Sequence, residues 1–303
     1  MKFAVMGAGA VGCFLGGKLA AAGETVTLIG RRALVEGVAA SGLTIETNAG
    51  AATVLLDATD SPQGVAGADA VLFCVKSTDT GAAGRAIAPY LRAGATVVCL
   101  QNGVDNVDRL AAEAGIAAVP AAVHLAAELA GPARVKHLGG GTLVLGDGAG
   151  SDEIATRFTS AGIPAEVSPA VVETLWHKLV LNCAYNALSA IAQLPCGPLR
   201  AAPHAAALMD AVVDECLAVA AGLGITLPPD MHGAVAAVAT RMPMQYSSTA
   251  QDITRGRPTE IDHLNGVIVR KAAELGIAAP ANLALLASVK AIEQRMGAVS
   301  AQR

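Results

Sequence analysis

The fold is decided by the stretch Lys2-Phe3-Ala4-Val5-Met6-Gly7-Ala8-Gly9-Ala10-Val11-Gly12 near the start of the chain. Residues typical of a buried strand run directly into the pattern Gly-x-Gly-x-x-Gly. A helical pattern rich in small residues follows, and residues 25–29 predict a second strand. This order of strand, glycine turn, helix and strand is the context in which the glycine pattern indicates a dinucleotide-binding site.

Each glycine of the pattern has its own role in such a site. We expect Gly7 to allow the tight turn, Gly9 to let the backbone approach a pyrophosphate, and Gly12 to let the helix lie close to the sheet. The first helical turn offers free N–H groups and the positive end of the helix dipole to the phosphates. The predicted cofactor-binding residues of this turn are Gly7, Ala8, Gly9, Ala10, Val11 and Gly12.

The end of the second strand indicates which cofactor is bound. An NAD site places an acidic residue there to bind the ribose 2′-hydroxyl, but this chain has Gly30-Arg31-Arg32. Guanidinium groups suit a 2′-phosphate. We therefore predict NADP, with Arg31 as a binding residue; the alternative is two solvated arginines on a loop.

Length and charge limit the class of protein. A chain of 303 residues predicts about two domains. With 21 basic and 25 acidic residues there is no basic block, so no nucleic-acid partner is expected. No apolar run approaches the roughly 18 residues of a membrane helix, so no membrane partner is expected either. The sequence leaves the oligomeric state open, a homodimer included.

Two observations favour a cytoplasmic protein. The six cysteines lack CxxC spacing and lie mostly in apolar segments, which indicates reduced core thiols rather than disulfides or metal ligands. The apolar run after Met1-Lys2 is similar to a secretory signal, but the glycines at positions 7, 9, 12, 16 and 17 would weaken that helix.

Strands and helices alternate in the first half of the chain. Residues 70–75 and 96–100 are apolar runs typical of strands buried on both faces. Further strands are predicted at 43–47, 53–56, 116–123 and 163–167, and helices at 78–91, 104–114 and 151–161. Residues 135–138 and 142–145 predict an antiparallel hairpin around Gly139-Gly140-Gly141.

Strand patterns stop near residue 170. Helical patterns then cover 170–192, 203–223, 231–241, 260–275 and 281–296, separated by prolines and glycines. We therefore predict an α/β Rossmann domain that binds NADP at residues 1–168, followed by an all-α substrate and catalytic domain at residues 169–303.

Polar residues follow two of the predicted buried strands. Lys76 comes directly after 70–75, and Asn102 follows 96–100. Ligands of open parallel sheets bind outside the carboxyl ends of the strands, where the strand order reverses. Both side chains are therefore candidates for cofactor contact. The structural alternatives are a solvated lysine and the corner of an Asn-Gly turn.

A polar face marks the first helix of the second half. Lys178, Asn182 and Asn186 are four residues apart and share one face of a helix that is otherwise apolar. A buried polar group without a hydrogen bond costs about 1–3 kcal/mol, so this face needs partners. A substrate with a carboxylate, a ketone and a hydroxyl would supply them; a polar seam against another helix or an exposed stripe is the alternative.

A second polar cluster runs from residue 245 to residue 262. Thr259-x-x-Asp262 predicts a helix start with Glu260 in its first turn. Ser248 is placed to cap a helix that starts at Thr249. Taken one at a time, these residues are better explained by structure than by function.

These motifs together resemble the NADP-dependent 2-dehydropantoate 2-reductases, or ketopantoate reductases, over essentially the whole chain. The matching residues are Gly7 to Gly12, Lys76, Gln101-Asn102-Gly103, the set Lys178, Leu179, Asn182 and Asn186-Ala187-Leu188, Ser247-Ser248-x-x-Gln251-Asp252, and Thr259-Glu260-Ile261-Asp262-x-x-Asn265-Gly266. The resemblance implies a Rossmann domain, a helical domain like that of 6-phosphogluconate dehydrogenases, and a catalytic cleft between them.

The resemblance also implies roles for individual residues. Lys178 would be the general acid, and Glu260 would help to position substrate and cofactor. The implied substrate contacts are Asn102, Asn182, Asn186 and Ser248, and Asn102 and Ala126 would lie along the nicotinamide. The chain departs from the family at Gly197-Pro198-Leu199, where Gly-Glu-Leu is frequent, and at Gln245, near which an asparagine is common.

The implied reaction is hydride transfer from NADPH to the C2 ketone of 2-dehydropantoate, which gives D-pantoate for pantothenate and coenzyme A synthesis. Lys178 would donate the proton. Two alternatives remain at this point: a reductase for another 2-oxo acid or a glycerol-3-phosphate-type dehydrogenase, and an NADP-binding redox sensor without catalysis.

Overall fold

The computed structural model describes the backbone of residues 1–301 and the side chains of residues 1–297. The chain divides into two compact units, Met1–Val172 and a second that starts at Glu173. The first combines a mixed sheet with flanking helices, and the second is helical.

The first unit is built on a single ten-stranded sheet within the described residues. Its strands are β1 (Lys2–Met6), β2 (Thr25–Ile29), β3 (Leu43–Thr47), β4 (Gly50–Val54), β5 (Asp57–Thr59), β6 (Ala70–Phe73), β7 (Thr96–Cys99), β8 (Ala118–Gly131), β9 (Arg134–Leu145) and β10 (Ala165–Val167). The helices of this unit are α1 (Ala10–Ala21), α2 (Arg32–Ser41), α3 (Thr80–Ile87), α4 (Asn106–Ala114) and α5 (Ser151–Ser160).

Six parallel strands form the Rossmann part of the sheet, in the spatial order β5-β2-β1-β6-β7-β8. Counted along the chain within this set, that order is 3-2-1-4-5-6, which is the arrangement of dinucleotide-binding sheets. The order reverses between β1 and β6, so the glycine turn after β1 lies at the switch point.

The parallel strands are buried on both faces. Alternate side chains of β1 enter different cores: Phe3 and Val5 pack in one, and Ala4 packs in the other. This alternation is the period-two geometry of a strand. It explains why β1, β6 and β7 are continuous apolar runs rather than alternating ones.

The predicted hairpin at residues 135–145 is wrong. Arg134–Leu145 is one strand that pairs antiparallel with β8 along its whole length, and β8 itself continues well beyond the predicted end at residue 123. Gly139, Gly140 and Gly141 have φ values of 147°, 71° and 126°. They coincide with register shifts in the β8–β9 ladder. The glycines therefore form bulges within a strand instead of reversing the chain.

The second unit is made of helices. They are α6 (Val171–Ala192), α7 (Cys196–Ala201), α8 (Ala205–Gly222), α9 (Met231–Arg241), α10 (Ser248–Thr254), α11 (Asn265–Leu275) and α12 (Pro280–Ala301). The predicted fold class, an α/β Rossmann part followed by an all-α part, is confirmed.

The predicted helix start at Thr259 is wrong. A short 3-10 turn spans Ile261–His263, and α11 begins only at Asn265. Thr259 instead bonds to the side chain of Glu293 in α12. Helix α10 begins at Ser248 rather than Thr249, and the hydroxyl of Ser247 caps it by accepting a 3.0 Å hydrogen bond from the amide of Ala250.

Candidate functional site

The three glycines of the turn occupy different environments. Gly7 has a φ of +93°, and a Cβ built on it would lie 2.5 Å from the amide nitrogen of Val75. A Cβ on Gly12 would lie 2.6 Å from the carbonyl oxygen of Gly7. A Cβ on Gly9 would meet nothing within 4 Å. Gly7 and Gly12 are therefore required by the fold, whereas the space beside Gly9 is open to a ligand.

Helix α1 starts at this open space. Gly9 is its N-cap residue and supplies no side-chain cap. The first helical hydrogen bond runs from Cys13 to the Gly9 carbonyl, 2.8 Å. The amides of Ala10, Val11 and Gly12 belong to the first turn, where a helix has no carbonyl to offer them. This helix start fits the phosphates of a dinucleotide.

The turn is tied to the end of β2. The amides of Gly7 and Ala8 both donate to the Ile29 carbonyl, at 3.1 and 2.9 Å. A Cβ on Gly30 would lie 3.1 Å from the Cβ of Ala8. The residue that follows, Arg31, is thus next to the glycine turn, as expected of a group that contacts the adenosine ribose.

The two arginines after β2 differ in their contacts. The Arg32 side chain pairs with Glu36, with 2.8 Å between Nε and Oε1. Arg31 is exposed, and its guanidinium makes no ion pair or hydrogen bond with any residue that the structure describes. Arg31 is therefore the guanidinium that a 2′-phosphate can engage without breaking an existing pair.

The end of β6 packs directly behind the turn. Cys74 donates from its amide to the Met6 carbonyl at 2.8 Å, and Val75 lies against Gly7. Lys76 follows and is half-buried. Burial raises the pKa of the Cys74 thiol, and burial likewise raises the pKa of Cys13 to about 12, so neither thiol is a nucleophile here.

Asn102 lies in the loop after β7. Its carbonyl accepts hydrogen bonds from the Ser77 hydroxyl at 2.9 Å and from the Asn106 amide group at 2.7 Å. Ala126 is a half-buried residue of β8, opposite Gly139 and beside a register shift. The roles predicted for Asn102 and Ala126 stay predictions.

The polar face of α6 is only partly covered. Lys178 and Asn182 are half-buried, and Asn186 is 6% exposed. The side-chain amides of Asn182 and Asn186 form no hydrogen bond within the described part of the chain. Their hydrogen-bonding capacity is therefore available to a ligand.

The ammonium group of Lys178 has a lowered pKa. Burial lowers the pKa of its ammonium from 10.5 to about 8, and the negative charge of Glu260 acts in the opposite direction. Glu260 is half-buried in the loop before the 3-10 turn. A lysine whose pKa lies close to neutrality can donate a proton and take it back near physiological pH.

The remaining predicted site residue, Ser248, is exposed at the start of α10. Its neighbour Ser247 is buried, caps the helix and donates its hydroxyl to the Asn186 carbonyl at 3.2 Å. This bond ties the start of α10 to the same helix that carries the predicted proton donor.

Two hydrogen-bond networks, one buried and one partly buried, were not predicted from the sequence. One joins the loops after β6 and β7 through Thr80, Gln101 and Asn106, and the other joins Thr259 to Glu293. The only sequence signal for either was the Gln-Asn-Gly motif, which marks a loop without indicating what its glutamine contacts.

The described residues contain no group of three or more His, Cys, Asp or Glu side chains arranged to hold a metal ion. Over the same part of the chain, every helix is too short or too polar to cross a membrane.

The fold and these residues define an oxidoreductase built on a dinucleotide-binding sheet. Two family models match the chain: "Ketopantoate reductase PanE/ApbA" over residues 3–150, and "Ketopantoate reductase PanE/ApbA C terminal" over residues 170–293. The chain therefore belongs to the ketopantoate reductase family.

Named relatives cover nearly the whole chain. The 2-dehydropantoate 2-reductase of Halobacterium salinarum is 33% identical, over 98% of this chain and 100% of its own length. The enzyme of the same name from Caulobacter vibrioides is also 33% identical, over 96% of this chain and 98% of its own.

Two solved structures are similar to this chain over nearly its whole length. The PanE/ApbA family ketopantoate reductase of Ralstonia eutropha JMP134 shares 49% identity over 98% of this chain and 100% of that chain, with a TM-score of 0.96. D-mandelate dehydrogenase, solved with NADH and anilino(oxo)acetate, shares 27% identity over 98% of this chain and 100% of that chain, with a TM-score of 0.91.

Proposed function

We propose that this protein is an NADPH-dependent 2-dehydropantoate 2-reductase, which forms D-pantoate in the pathway to pantothenate and coenzyme A. The observation that carries the proposal is Lys178, an ammonium with a pKa of about 8 on one helix face with two available amides. Full-length relatives that bear this enzyme name support the choice of substrate.

Lys178 is the proton donor of the proposed reaction. Reduction of a ketone places negative charge on its oxygen, and a protonated lysine stabilises that charge and then donates a proton. Positioned acid catalysis of this kind is worth about 10²–10⁴-fold. Glu260 favours the protonated form, because its negative charge raises the pKa that burial lowers.

The substrate is held by amides and a hydroxyl. Asn182 and Asn186 each offer two N–H donors and one carbonyl acceptor, which suits the carboxylate and hydroxyl of a 2-oxo acid. Ser248 and Asn102 complete the proposed set of substrate contacts.

NADPH, when bound, supplies the hydride. The residues that would hold it are the turn from Gly7 to Gly12, Arg31, Lys76, Asn102, Ala126 and Glu260. The open space beside Gly9 and the free guanidinium of Arg31 fit a pyrophosphate and a 2′-phosphate. We assign cofactor binding to residues 1–168 and substrate binding with proton transfer to residues 169–303. The free cysteines of the described chain suit a cytoplasmic enzyme.

The test is NADPH oxidation with 2-dehydropantoate, measured beside pyruvate, 2-oxoisovalerate and oxaloacetate and repeated with NADH. We expect the largest kcat/KM with 2-dehydropantoate and NADPH. Equal turnover of all four acids, or saturable NADPH binding without any turnover, contradicts the proposal.

A reductase for an aromatic 2-oxo acid is the second candidate. The similarity to D-mandelate dehydrogenase favours this candidate. That structure matches 98% of this chain and was solved with NADH and anilino(oxo)acetate, which is an aromatic compound. Phenylglyoxylate, the 2-oxo acid that corresponds to mandelate, is therefore added to the panel. A higher kcat/KM for phenylglyoxylate with NADH would favour this candidate over the first.

A further inference from the structure

A buried network of hydrogen bonds joins two loops of the first unit. Strands β6 and β7 pair in parallel. The loop after β6 carries Lys76 and the loop after β7 carries Asn102, both proposed cofactor contacts. The side chains that connect the loops are those of Ser77, Thr80, Gln101 and Asn106, which are exposed by 0, 0, 6 and 2%.

The hydroxyl of Thr80 is at the centre of this network. It accepts a 2.8 Å hydrogen bond from Nε2 of Gln101. Its own proton is directed towards the Ser77 carbonyl and Oδ1 of Asn106, each 3.0 Å away. Thr80 thus connects the helix start after β6 to side chains from the loop after β7.

The network holds the backbone on both sides of Lys76. Gln101 also donates from Nε2 to the Val75 carbonyl at 3.0 Å. The Ser77 carbonyl accepts a 2.6 Å hydrogen bond from Nη1 of Arg109 in addition to the bond from Thr80. Both carbonyls that flank Lys76 are therefore fixed by donors of the network.

The same network holds the backbone of Asn102. Asn106 uses one amide hydrogen for the Asn102 carbonyl, at 2.7 Å, and the other for the Ser77 hydroxyl, at 3.2 Å. That hydroxyl in turn donates to the Asn102 carbonyl at 2.9 Å. Oδ1 of Asn106 is oriented by Thr80, so the two loops are positioned as one group.

We propose that Thr80 is a positioning residue for the nicotinamide cofactor, acting through Lys76 and Asn102. The inference rests on the proposed function, because it takes these two residues as cofactor contacts. Loss of the Thr80 hydroxyl leaves Oδ1 of Asn106 without a donor and removes one of the bonds that hold Gln101. Both loops then become less well ordered, although a side chain of similar volume still fills the space of Thr80.

The test compares Thr80→Val with Thr80→Ser. Valine keeps the branched shape and removes the hydroxyl, whereas serine keeps the hydroxyl. We expect Thr80→Val to raise the Kd for NADPH, measured by calorimetry, about tenfold, and Thr80→Ser to stay within about twofold of wild type. The KM for NADPH should rise with the Kd, while the KM for the 2-oxo acid should not move. Equal Kd values in the two variants would overturn the inference and leave Thr80 a structural residue.

An Asn102→Ala background tests the route of the effect. There, Thr80→Val should weaken NADPH binding by less than about threefold, because part of the route is already lost. If Thr80→Val raises the Kd for NADPH by the same factor in the Asn102→Ala background as in wild type, Thr80 does not act through Asn102. If Thr80→Val does not fold, Asn106→Ala removes the amide group that connects the Thr80 hydroxyl to the Asn102 carbonyl. An unchanged Kd for NADPH in that variant would also overturn the inference.

The outcomes separate the inference from the proposed function. Wild-type protein that binds NADPH but reduces no 2-oxo acid would refute the function, while the comparison of Kd values still decides the inference. Wild-type protein that binds no NADPH would refute both.

Discussion

The carboxylate of Glu293 accepts two hydrogen bonds from Thr259, one from its backbone amide and one from its hydroxyl, both 2.7 Å long. The same carboxylate pairs with Lys290 at 2.8 Å, and Lys290 pairs with Asp262. Glu260 lies between Thr259 and Asp262 in sequence. Helix α12 therefore holds the loop that carries the proposed positioning carboxylate.

Glu293→Gln should loosen this loop. A glutamine oxygen still accepts from Thr259, but the charge that strengthens these bonds and the pair with Lys290 is lost. We expect the free energy of unfolding to fall by about 1–2 kcal/mol and kcat to fall several-fold. The control is Glu274→Gln, which breaks only the exposed pair with Lys271 and should change neither quantity. A kcat equal to that of wild type would show that the loop is held without Glu293.

The effect of Glu293 on stability should depend on pH. Burial alone raises its pKa, but hydrogen bonds from Lys290 and Thr259 outweigh burial and bring the pKa below the ordinary 4.5. A carboxyl with a lowered folded-state pKa stabilises the protein above its unfolded-state pKa and loses that contribution as pH falls through the folded-state value. We expect the free energy of unfolding of wild type to exceed that of Glu293→Gln by less at pH 3 than at pH 7, as measured by denaturant unfolding. A difference that does not change with pH would contradict the lowered pKa of Glu293.

Alanine at Gly9 and at Gly7 should have different effects. Gly9 has a φ of −83° and no neighbour within 4 Å of its built Cβ, so Gly9→Ala should keep the melting temperature of wild type. The added methyl group occupies the space proposed for the pyrophosphate, and NADPH binding should weaken at least tenfold. Gly7→Ala, with φ +93° and Cβ 2.5 Å from a backbone nitrogen, should unfold at a lower temperature. Unchanged NADPH binding by Gly9→Ala would place the cofactor elsewhere.

Arg31 and Arg32 provide a matched pair for the choice between NADPH and NADH. Arg31→Ala should raise the KM for NADPH about tenfold and leave the KM for NADH unchanged, because only NADPH carries the 2′-phosphate. Arg32→Ala breaks the surface pair with Glu36 and should leave both KM values close to wild type. Steady-state kinetics with both cofactors measure this. Equal effects of the two substitutions would remove the special role of Arg31.

Lys178→Ala should lower kcat about 10²–10⁴-fold and leave NADPH binding unchanged, since it removes the proton donor. Lys271→Ala, at an exposed lysine of the same unit, is the control. Near-normal turnover by Lys178→Ala would exclude the proposed role.

The rate of reduction should also depend on pH. In wild type, kcat/KM for reduction should fall as pH rises through about 8, the pKa of Lys178, because only the protonated lysine donates. A pH profile that is flat from 7 to 9 would exclude this pKa for Lys178.

Local patterns predicted most of the first unit. The glycine turn, the apolar strands and the long helices depend on backbone requirements and side-chain periods within a few residues. The hairpin around Gly139-Gly140-Gly141 was wrong because a bulge and a turn use the same positive-φ glycines. The partner strand decides whether the glycines form a bulge or a turn. Because β8 pairs with β9 on both sides of the glycines, they form a bulge. The short helix α7 was missed because six residues carry too little periodic signal.

The sequence by itself determined the class of fold, the glycine turn with Arg31 beside it, and the face that Lys178 shares with Asn182 and Asn186. Each depends on spacing along one element, and the catalytic and binding roles assigned to these residues stay predictions. Only the tertiary structure decided that Thr80 joins the loops of Lys76 and Asn102, and that Glu293 holds the loop of Glu260. These hydrogen bonds connect residues 26 and 34 positions apart. Such contacts exist only once the sheet and the helices have packed, because no local period brings their partners together.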